Sequence, residues 1–212
     1  MKRSNRVVIV GPTGCGKSVL ARKLLAQQDQ AIIVDPKHQW KPRKGDHLAT
    51  NIKELKSALN KMRGEDGNHV VYRVPREHLL PQNAEFLDQV PALALERKNT
   101  LLFYDELVFV AGSSDFFRRA PNFYYAMTTG RGLGVGVWGL AQRPTWIPVI
   151  VFSESDYRAT FYLRKRTDRA RLEEFLGDEI PWGVLRAKKH SFVIGDDMKT
   201  SPPLRLSLQK EI

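Results

Sequence analysis

The chain has 212 residues, 42% of them hydrophobic, which suffices for one well-buried core and is short for two full domains. It carries 34 Lys and Arg against 23 Asp and Glu, a formal net charge of +11 that favours a polyanionic partner such as nucleic acid or anionic lipid. Its one cysteine excludes an internal disulfide framework, and its apolar runs are too short for a membrane span. We therefore expect a soluble intracellular protein without a transmembrane segment.

The first predicted strand, RVVIV at 6–10, is short, β-branched and apolar, which is typical of a strand buried on both faces of a parallel sheet. The motif GPTGCGKS follows at 11–18 and matches G-x-x-x-x-G-K-[ST], in which glycines let backbone N–H groups surround a phosphate chain. A helix predicted at 17–28 points its partially positive N-terminus at the same phosphates. We expect Lys17 to reach the β- and γ-phosphates of ATP, and Ser18 to ligate Mg²⁺. The expected nucleotide-binding residues are Gly11, Pro12, Thr13, Gly14, Cys15, Gly16, Lys17, Ser18 and Val19.

Two more pairs of strand and helix are predicted next, with strands at 31–35 and 69–74 and helices at 51–63 and 82–98. The second of these strands lies in the sequence HVVYRVP. We expect it to be the extra strand inserted between the phosphate loop and the acidic strand that follows.

The sequence TLLFYDE at 100–106 predicts a buried strand, 100–105, that ends in two carboxylates, Asp105 and Glu106. The carboxyl ends of parallel strands meet at one edge of a sheet, so both side chains should face the phosphate loop. We expect Asp105 to hold the Mg²⁺ shell and Glu106 to orient or deprotonate the attacking water. The alternative is a strand that merely ends in solvated acids. Hydrolysing motors need the second carboxylate, whereas small-molecule kinases and switch GTPases generally do not, so the pair favours an ATPase.

After a helix predicted at 115–129, the sequence GRGLGVGVWGLAQRP at 130–144 predicts a glycine-broken central strand at 134–141. Gln142 follows at the edge where the γ-phosphate should lie, and its amide can hydrogen-bond both a phosphate oxygen and the lytic water. Arg131 precedes the strand, at its opposite end, where it is better placed for a neighbouring subunit's nucleotide than for its own. Composition alone favours the alternative that Arg131 is an ordinary surface arginine.

The last predicted elements are strands at 159–163 and 190–194 and a helix at 167–176. Strands that alternate with helices predict the α/β class, with a mainly parallel central sheet flanked by helices on both faces. We expect residues 1–177 to form a P-loop ATPase domain. Residues 178–212 should add a strand or an arm and a short tail to the same domain.

The motifs GPTGCGKS, IIVDPKHQW, LLFYDE and GRGLGVGVWGLAQRP together resemble those of the FtsK/HerA group of P-loop ATPases. Within that group, the chain is most similar to the compact genome-packaging ATPases of tailless viruses with an internal membrane. The resemblance implies an additional-strand, RecA-like P-loop NTPase fold, a pentameric or hexameric ring with ATP at its interfaces, and translocation of double-stranded DNA into a preformed capsid. By motif position, the resemblance makes Gln142 the sensor of the γ-phosphate. It makes Arg131 an arginine finger that acts in trans on a neighbouring subunit's nucleotide, and it places Asp35 near the nucleotide site.

The resemblance also implies where such a motor acts. It suits a chain that works in the host cytoplasm or in association with the virion, and that docks on a capsid-vertex or portal membrane protein. The DNA itself would be held through its phosphates, since a motor must move along any sequence.

Two basic clusters could make those phosphate contacts, and each could instead be a solvated face. The first cluster consists of Lys37, His38, Lys41, Arg43 and Lys44, with Trp40 among them. The second consists of Arg158, Arg164, Lys165, Arg166, Arg169 and Arg171. Trp40 and Trp146 could be core or interface anchors, or platforms on which bases stack.

Three other functions stay open at this point. A filamentous-phage assembly protein or conjugative coupling protein would share the motor class, but such relatives usually carry a transmembrane segment. A P-loop nucleotide or metabolite kinase would make Gln142 and its upstream arginine coincidental. A nucleotide-gated binding module would catalyse no reaction at all.

Overall fold

The structure is a computed structural model that describes residues 1–62, 69–79, 84–112, 115–177 and 179–207. Its strands are β1 (Arg6–Val10), β2 (Ala31–Asp35), β3 (His47–Ala49), β4 (His69–Arg73), β5 (Leu101–Tyr104), β6 (Gly136–Ala141), β7 (Tyr157–Phe161), β8 (Ser191–Gly195) and β9 (Leu204–Arg205). Its helices are α1 (Lys17–Leu25), α2 (Ile52–Lys61), α3 (Ala84–Leu87), α4 (Gln89–Arg97), α5 (Val108–Ala111), α6 (Phe116–Arg119), α7 (Pro121–Thr128), α8 (Val149–Ser153), α9 (Arg166–Leu176) and α10 (Trp182–Ala187). Short 3-10 turns lie at Arg76–His78, Gly130–Leu133 and Pro144–Trp146.

These strands form one sheet in the order β3-β4-β2-β5-β6-β1-β7-β8-β9. The seven strands from β3 to β7 in that order are parallel, and β8 and β9 run antiparallel to their neighbours. The predicted α/β class with a mainly parallel sheet is therefore confirmed. Because the central strands are parallel, their carboxyl ends meet at one edge, which is where ligands bind in open α/β sheets.

The sheet has a hydrophobic layer on each face, because side chains along a strand point alternately to opposite sides. Val8 and Val10 of β1 belong to the layer covered by α2, α4, α7 and α9. Val7 and Ile9 of the same strand belong to the other layer, which is covered by α1. Each residue from Val7 to Val10 is therefore buried, as this apolar run predicted.

The prediction for the inserted strand is wrong. The sequence HVVYR forms β4, which pairs with β2 and β3 on the far side of the acidic strand. The strand between β1 and β5 is instead β6, which pairs with both of them. The glycines of β6 fit this crowded position, since a Cβ at Gly136 would overlap the carbonyl oxygen of Arg3, and a Cβ at Gly139 would overlap the side chain of Leu107.

Several predicted elements are divided or shifted. The helix predicted at 82–98 is divided, over its described part, into α3 and α4 at Asp88. The Asp88 carboxylate accepts hydrogen bonds from the backbone N–H groups of Asn122 and Phe123 and so caps the start of α7. The helix predicted at 115–129 is similarly divided into α6 and α7, ahead of Pro121.

Further differences lie toward the C-terminus. The strand predicted at 159–163 begins two residues earlier, because Tyr157 pairs with Val7 of β1. The segment expected to be a strand or arm begins instead with α10, and only then forms β8. None of the helices in the described ranges has the length and hydropathy that crossing a lipid bilayer requires.

Candidate active site

The phosphate-binding loop, residues 11–18, connects β1 to α1 at the carboxyl edge of the sheet. Its backbone enters the left-handed region at two glycines, with φ of 77° at Gly14 and 112° at Gly16, which other residues rarely adopt. The helix α1 begins directly after Gly16, so that its first residues line a cavity of about 390 Å³. A helix N-terminus with free N–H groups beside such a cavity suits an anionic ligand.

Most of the predicted nucleotide-binding residues surround this cavity. Those that line it are Thr13, Gly14, Gly16, Lys17, Ser18 and Val19. Gly11, Pro12 and Cys15 instead contribute backbone carbonyls that accept hydrogen bonds from the side chains beside them. The nine residues therefore lie together in the phosphate loop and the first turn of α1.

The Lys17 side chain forms hydrogen bonds within the phosphate loop. Its ammonium donates to the carbonyl oxygens of Gly11 at 2.5 Å and Pro12 at 2.9 Å. Burial lowers the pKa of the Lys17 ammonium, and burial likewise raises the pKa of the Cys15 thiol. The loop thus holds a desolvated cation at its centre and a thiol that stays protonated.

Ser18 and Asp105 face each other across the cavity, and the hydroxyl donates to Oδ1 of the carboxylate at 3.4 Å. Burial is the main reason that the pKa of Asp105 is raised to about 6, and the nearby charges of Asp35 and Glu106 contribute to the rise. A hydroxyl and a buried carboxylate fit Mg²⁺, which takes few protein ligands and completes its shell with water and phosphate oxygens. No cluster of three or more His, Cys, Asp or Glu that could hold a metal by itself occurs in the described parts of the chain.

Glu106 and Gln142 meet on the other side of the loop. Nε2 of Gln142 donates to Oε2 of Glu106 at 3.0 Å, and the Thr13 hydroxyl donates to Oε1 of Gln142 at 3.3 Å. Gln142 follows β6, the inserted strand, whose carboxyl end lies between those of β1 and β5. The amide therefore bridges the phosphate loop and the carboxylate that follows the acidic strand.

Sequence reasoning missed two residues of this site. Lys37, which the sequence placed in a basic cluster, has its ammonium 2.9 Å from Oε2 of Glu106. Its position just after the predicted strand at 31–35 is a signal that could have located it, because that strand ends at the same sheet edge. His190 also lines the cavity, and its Nδ1 lies 3.0 Å from the carbonyl oxygen of Cys15. No local pattern indicates His190, since it reaches the loop only through the pairing of β8 with β7.

Asp35 does not line the cavity. Its carboxylate accepts hydrogen bonds from the backbone N–H groups of Gln39 at 3.2 Å and Trp40 at 2.8 Å. These hydrogen bonds stabilise the turn that positions Lys37 near Glu106. The negative charge of Asp35 also helps to raise the pKa of Asp105.

Arg131 lies at the opposite edge of the sheet. It occupies the 3-10 turn before β6, 54% of its side chain is exposed, and its guanidinium forms an ion pair with Asp156. The six residues of β6 separate it from Gln142, a length of about 20 Å that the arginine side chain cannot bridge. Arg131 therefore cannot reach the nucleotide cavity of its own chain.

The structure changes what was expected of individual residues in and near the two basic clusters. Arg158 is 2% exposed and paired with Asp197, so it is no surface cation. Trp40 is a core residue, 6% exposed and 5.0 Å from the Phe103 ring, which rules out base stacking. Trp146 is 52% exposed, under the guanidinium of Arg143.

Other members of the clusters remain at the surface. Lys41, Lys44, Arg164, Lys165 and Arg166 are exposed. Arg171 pairs with Glu174, and Arg43 with Asp46.

No protein-family model matches the chain. The DNA packaging ATPase P9 of Enterobacteria phage PRD1 is 27% identical to it over 175 residues, which are 81% of this chain and 70% of P9. The chain resembles a viral genome-packaging ATPase. This similarity confirms the resemblance that the motifs indicated.

Solved structures agree in fold. The genome packaging NTPase B204 from Sulfolobus turreted icosahedral virus 2, in complex with AMPPCP, has a TM-score of 0.74 and 21% identity, covering 97% of this chain and 100% of that chain. The monomer form of the pCW3 conjugation coupling protein TcpA with ATPγS has a TM-score of 0.51 and 19% identity, covering 93% of this chain and 58% of that chain. At these identities the matches establish the fold, that of a P-loop NTPase.

Proposed function

We propose that the chain is an ATP-hydrolysing motor that packages double-stranded DNA into a preformed viral capsid. One observation carries the proposal: a single cavity is lined by the phosphate-loop residues Lys17 and Ser18 together with Asp105 and Gln142, and Gln142 is hydrogen-bonded to Glu106. The similarity to P9, a DNA packaging ATPase, supports the same function. The groups of the cavity divide into those that bind the nucleotide and those that act on water.

The phosphate loop would bind the nucleotide. Its backbone N–H groups would surround the phosphates, and phosphate oxygens would replace the loop carbonyls as partners of the Lys17 ammonium. Ser18 and Asp105 would hold Mg²⁺, which neutralises phosphate charge when it is bound. Ionised Asp105 is needed for this, and burial raises the pKa of its carboxyl to about 6 before any cation binds.

Hydrolysis belongs to Glu106 and Gln142. The Glu106 carboxylate is 5% exposed and positioned to take a proton from water. Gln142 contacts both that carboxylate and Thr13 of the phosphate loop, so its amide can respond to a γ-phosphate that enters between them.

A second subunit would complete the site. Arg131 is exposed at the far edge of the sheet, and we assign it as a finger that stabilises the transition state in a neighbouring subunit. This arrangement requires a ring of copies, a pentamer or a hexamer, with nucleotide at each interface. A monomer would hydrolyse ATP slowly.

The net charge of +11 supports double-stranded DNA as the partner, held through its phosphates. We further propose that residues 1–177 and 178–212 act as one domain, because β8 and β9 continue the sheet and His190 contacts the phosphate loop. The motor would work in the host cytoplasm or on the virion, with a capsid-vertex or portal membrane protein as its docking partner.

The alternatives are less favoured. A kinase does not need Glu106 beside the metal-binding aspartate, yet this carboxylate is the acceptor for Gln142. This chain shares its fold with the conjugation coupling protein TcpA at 19% identity, which is too low to support a conjugation or phage-assembly function.

The test is steady-state phosphate release from ATP with and without long double-stranded DNA. We expect DNA to stimulate release, and Lys17→Ala to abolish it in both conditions. An exposed lysine on α2 gives the matched control, Lys53→Ala, which should behave like the unmodified chain. Transfer of phosphate to a small acceptor, or release that DNA does not change, would contradict the motor function.

A further inference from the structure

The ion pair between Arg131 and Asp156 lies at the edge of the sheet opposite the nucleotide cavity. Asp156 directly precedes β7, and the neighbouring strand β1 fixes its carboxylate. Oδ2 of Asp156 accepts a hydrogen bond from the backbone N–H of Arg6 at 2.7 Å, and the backbone N–H of Asp156 donates to the carbonyl oxygen of Arg6 at 2.9 Å. The other carboxylate oxygen, Oδ1, accepts from Nη2 of Arg131. The carboxylate is therefore held by one oxygen and presents the second to the arginine in a fixed place.

The Arg6 side chain holds the segment that leads to Arg131. Its Nη2 donates to the carbonyl oxygen of Thr128, the last residue of α7, at 2.9 Å. In the 3-10 turn that follows, the N–H of Gly134 donates to the carbonyl oxygen of Arg131 at 3.0 Å. Burial lowers the pKa of the Arg6 guanidinium, and the like charge of Arg131 lowers it further. The Arg131 side chain thus starts from a fixed backbone and lies between a carboxylate that attracts it and a guanidinium that repels it.

The ion pair leaves part of the Arg131 guanidinium available. The arginine side chain is 54% exposed and that of Asp156 is 19% exposed, and pairs of this kind contribute little to stability. The contact uses Nη2, whereas Nε and Nη1 have no hydrogen-bond partner among the described residues. These remaining donors suit the phosphate oxygens of a second molecule. The contact with Asp156 therefore affects the direction of the side chain more than the stability of the fold.

We propose that Asp156 is a positioning residue, whose carboxylate sets the direction in which Arg131 points toward the nucleotide of a neighbouring subunit. The inference rests on the proposed function, because it deepens the role assigned to Arg131. Arg6 supports the arrangement, since it contacts both the carboxylate and the end of α7. An arginine that is oriented in advance raises kcat, because it need not be ordered while the transition state forms.

The first experiment measures kcat and the KM for ATP in Asp156→Asn, with long double-stranded DNA present. Two donors use the two separate oxygens of Asp156, so an amide with one oxygen can satisfy only one of them. We expect kcat to fall about 100-fold, as for a catalytic group misplaced by about 1 Å, while the KM stays the same. Glu154→Gln is the matched control, because it removes an equal charge from the cavity that Arg131 and Asp156 line and should keep the rate.

The second experiment mixes Asp156→Asn with Lys17→Ala. A Lys17→Ala copy cannot hydrolyse ATP itself, but it keeps Arg131 and Asp156. In a ring of heterologous interfaces, it offers that intact arginine to the nucleotide site of an adjacent Asp156→Asn copy. An equal mixture should therefore recover about one quarter of the unmodified rate, since half of the sites can bind ATP and half of those receive the intact arginine.

A milder variant keeps the inference testable if Asp156→Asn folds poorly, which thermal unfolding would show. Asp156→Glu retains the negative charge but moves it by one methylene, a smaller displacement of the arginine. It should lose about tenfold in kcat, and Lys17→Ala should rescue it in the same mixture.

Three results would overturn the inference. An unchanged kcat in Asp156→Asn would leave the carboxylate without a role in hydrolysis, and a raised kcat would make it a restraint on Arg131. A loss that Lys17→Ala does not relieve would mean that the substitution damages the chain's own site.

Arg131→Ala separates these failures from failure of the proposed function. If Arg131→Ala hydrolyses ATP at the unmodified rate, the arginine finger is wrong and the inference is wrong with it. If Arg131→Ala is inactive and Lys17→Ala rescues it, but Asp156→Asn is not rescued, then only the role of Asp156 is wrong.

Discussion

The two edges of the sheet differ in how many groups of the candidate active site each one contains. At the carboxyl edge, Lys17, Ser18, Asp105 and Gln142 line one cavity, and hydrogen bonds join Ser18 to Asp105 and Gln142 to Glu106. At the opposite edge, Arg131 is exposed and its partner is Asp156, a residue remote from any phosphate-binding group. On the proposed function, one chain would contain the groups that bind ATP but only part of the groups that stabilise the transition state.

The variant Arg131→Ala tests whether the exposed arginine completes the site of a neighbouring subunit. We expect a loss of about 10,000-fold in kcat, within the range of an arginine finger, with no change in ATP affinity. In mixtures with the unmodified chain, small fractions of the variant should depress activity more than proportionally, because one copy disables its neighbour's site. A proportional decline would show that subunits do not share sites, and Arg186→Ala, an exposed arginine on α10, is the control.

The variant Glu106→Gln should lose hydrolysis but keep nucleotide binding. Hydrolysis should fall about 1,000-fold, the central value for a positioned general base, while a fluorescent ATP analogue still binds at equilibrium. Glu96→Gln, an exposed glutamate on α4, should leave the rate unchanged. Substantial hydrolysis by Glu106→Gln would mean that another group activates the water.

Asp105→Asn should stabilise the protein, although it removes a proposed ligand of Mg²⁺. The folded-state pKa of about 6 lies above the ordinary 3.8, so the folded chain holds this proton more tightly than the unfolded chain does. The stabilisation from the protonated carboxyl is full below pH 3.8 and is lost as the pH rises through 6. At pH 7.5 the loss amounts to about 3 kcal/mol, at about 1.4 kcal/mol for each pKa unit.

Urea unfolding in EDTA, without nucleotide, measures this effect. The gain in unfolding free energy from Asp105→Asn should shrink between pH 7.5 and pH 5, since the unmodified carboxyl becomes protonated in the folded state. Asp115→Asn, at an exposed aspartate, should show no such gain. A gain that is independent of pH would argue against ionisation of Asp105 as its source.

The smallest expected effect concerns the C-terminal strands. His190→Ala removes one hydrogen bond to the phosphate loop and should weaken ATP affinity about fivefold, as expected for a single neutral bond. Lys189→Ala, at the exposed neighbour, is the control. Unchanged affinity would limit His190 to a contact that the nucleotide does not use.

The parts of the site that lie within one short segment were predictable from local sequence. The phosphate loop is contiguous, and the glycines at 14 and 16 have the φ angles that such a loop requires. Asp105 and Glu106 were also predictable, because a buried apolar run followed by acids puts those acids at the end of a strand. These predictions succeeded because backbone conformation and side-chain alternation are local properties.

The identity of the strand between β1 and β5 depends on long-range pairing, which local sequence does not show. β4 and β6 are both short buried strands, and the hydrogen bonds that place them in the sheet join segments far apart in the chain. The same long-range pairing brings Lys37 to Glu106 and His190 to the phosphate loop. It also sets the length of β6 between Gln142 and Arg131, so strand order, rather than any local motif, determines which functional groups share an edge of the sheet.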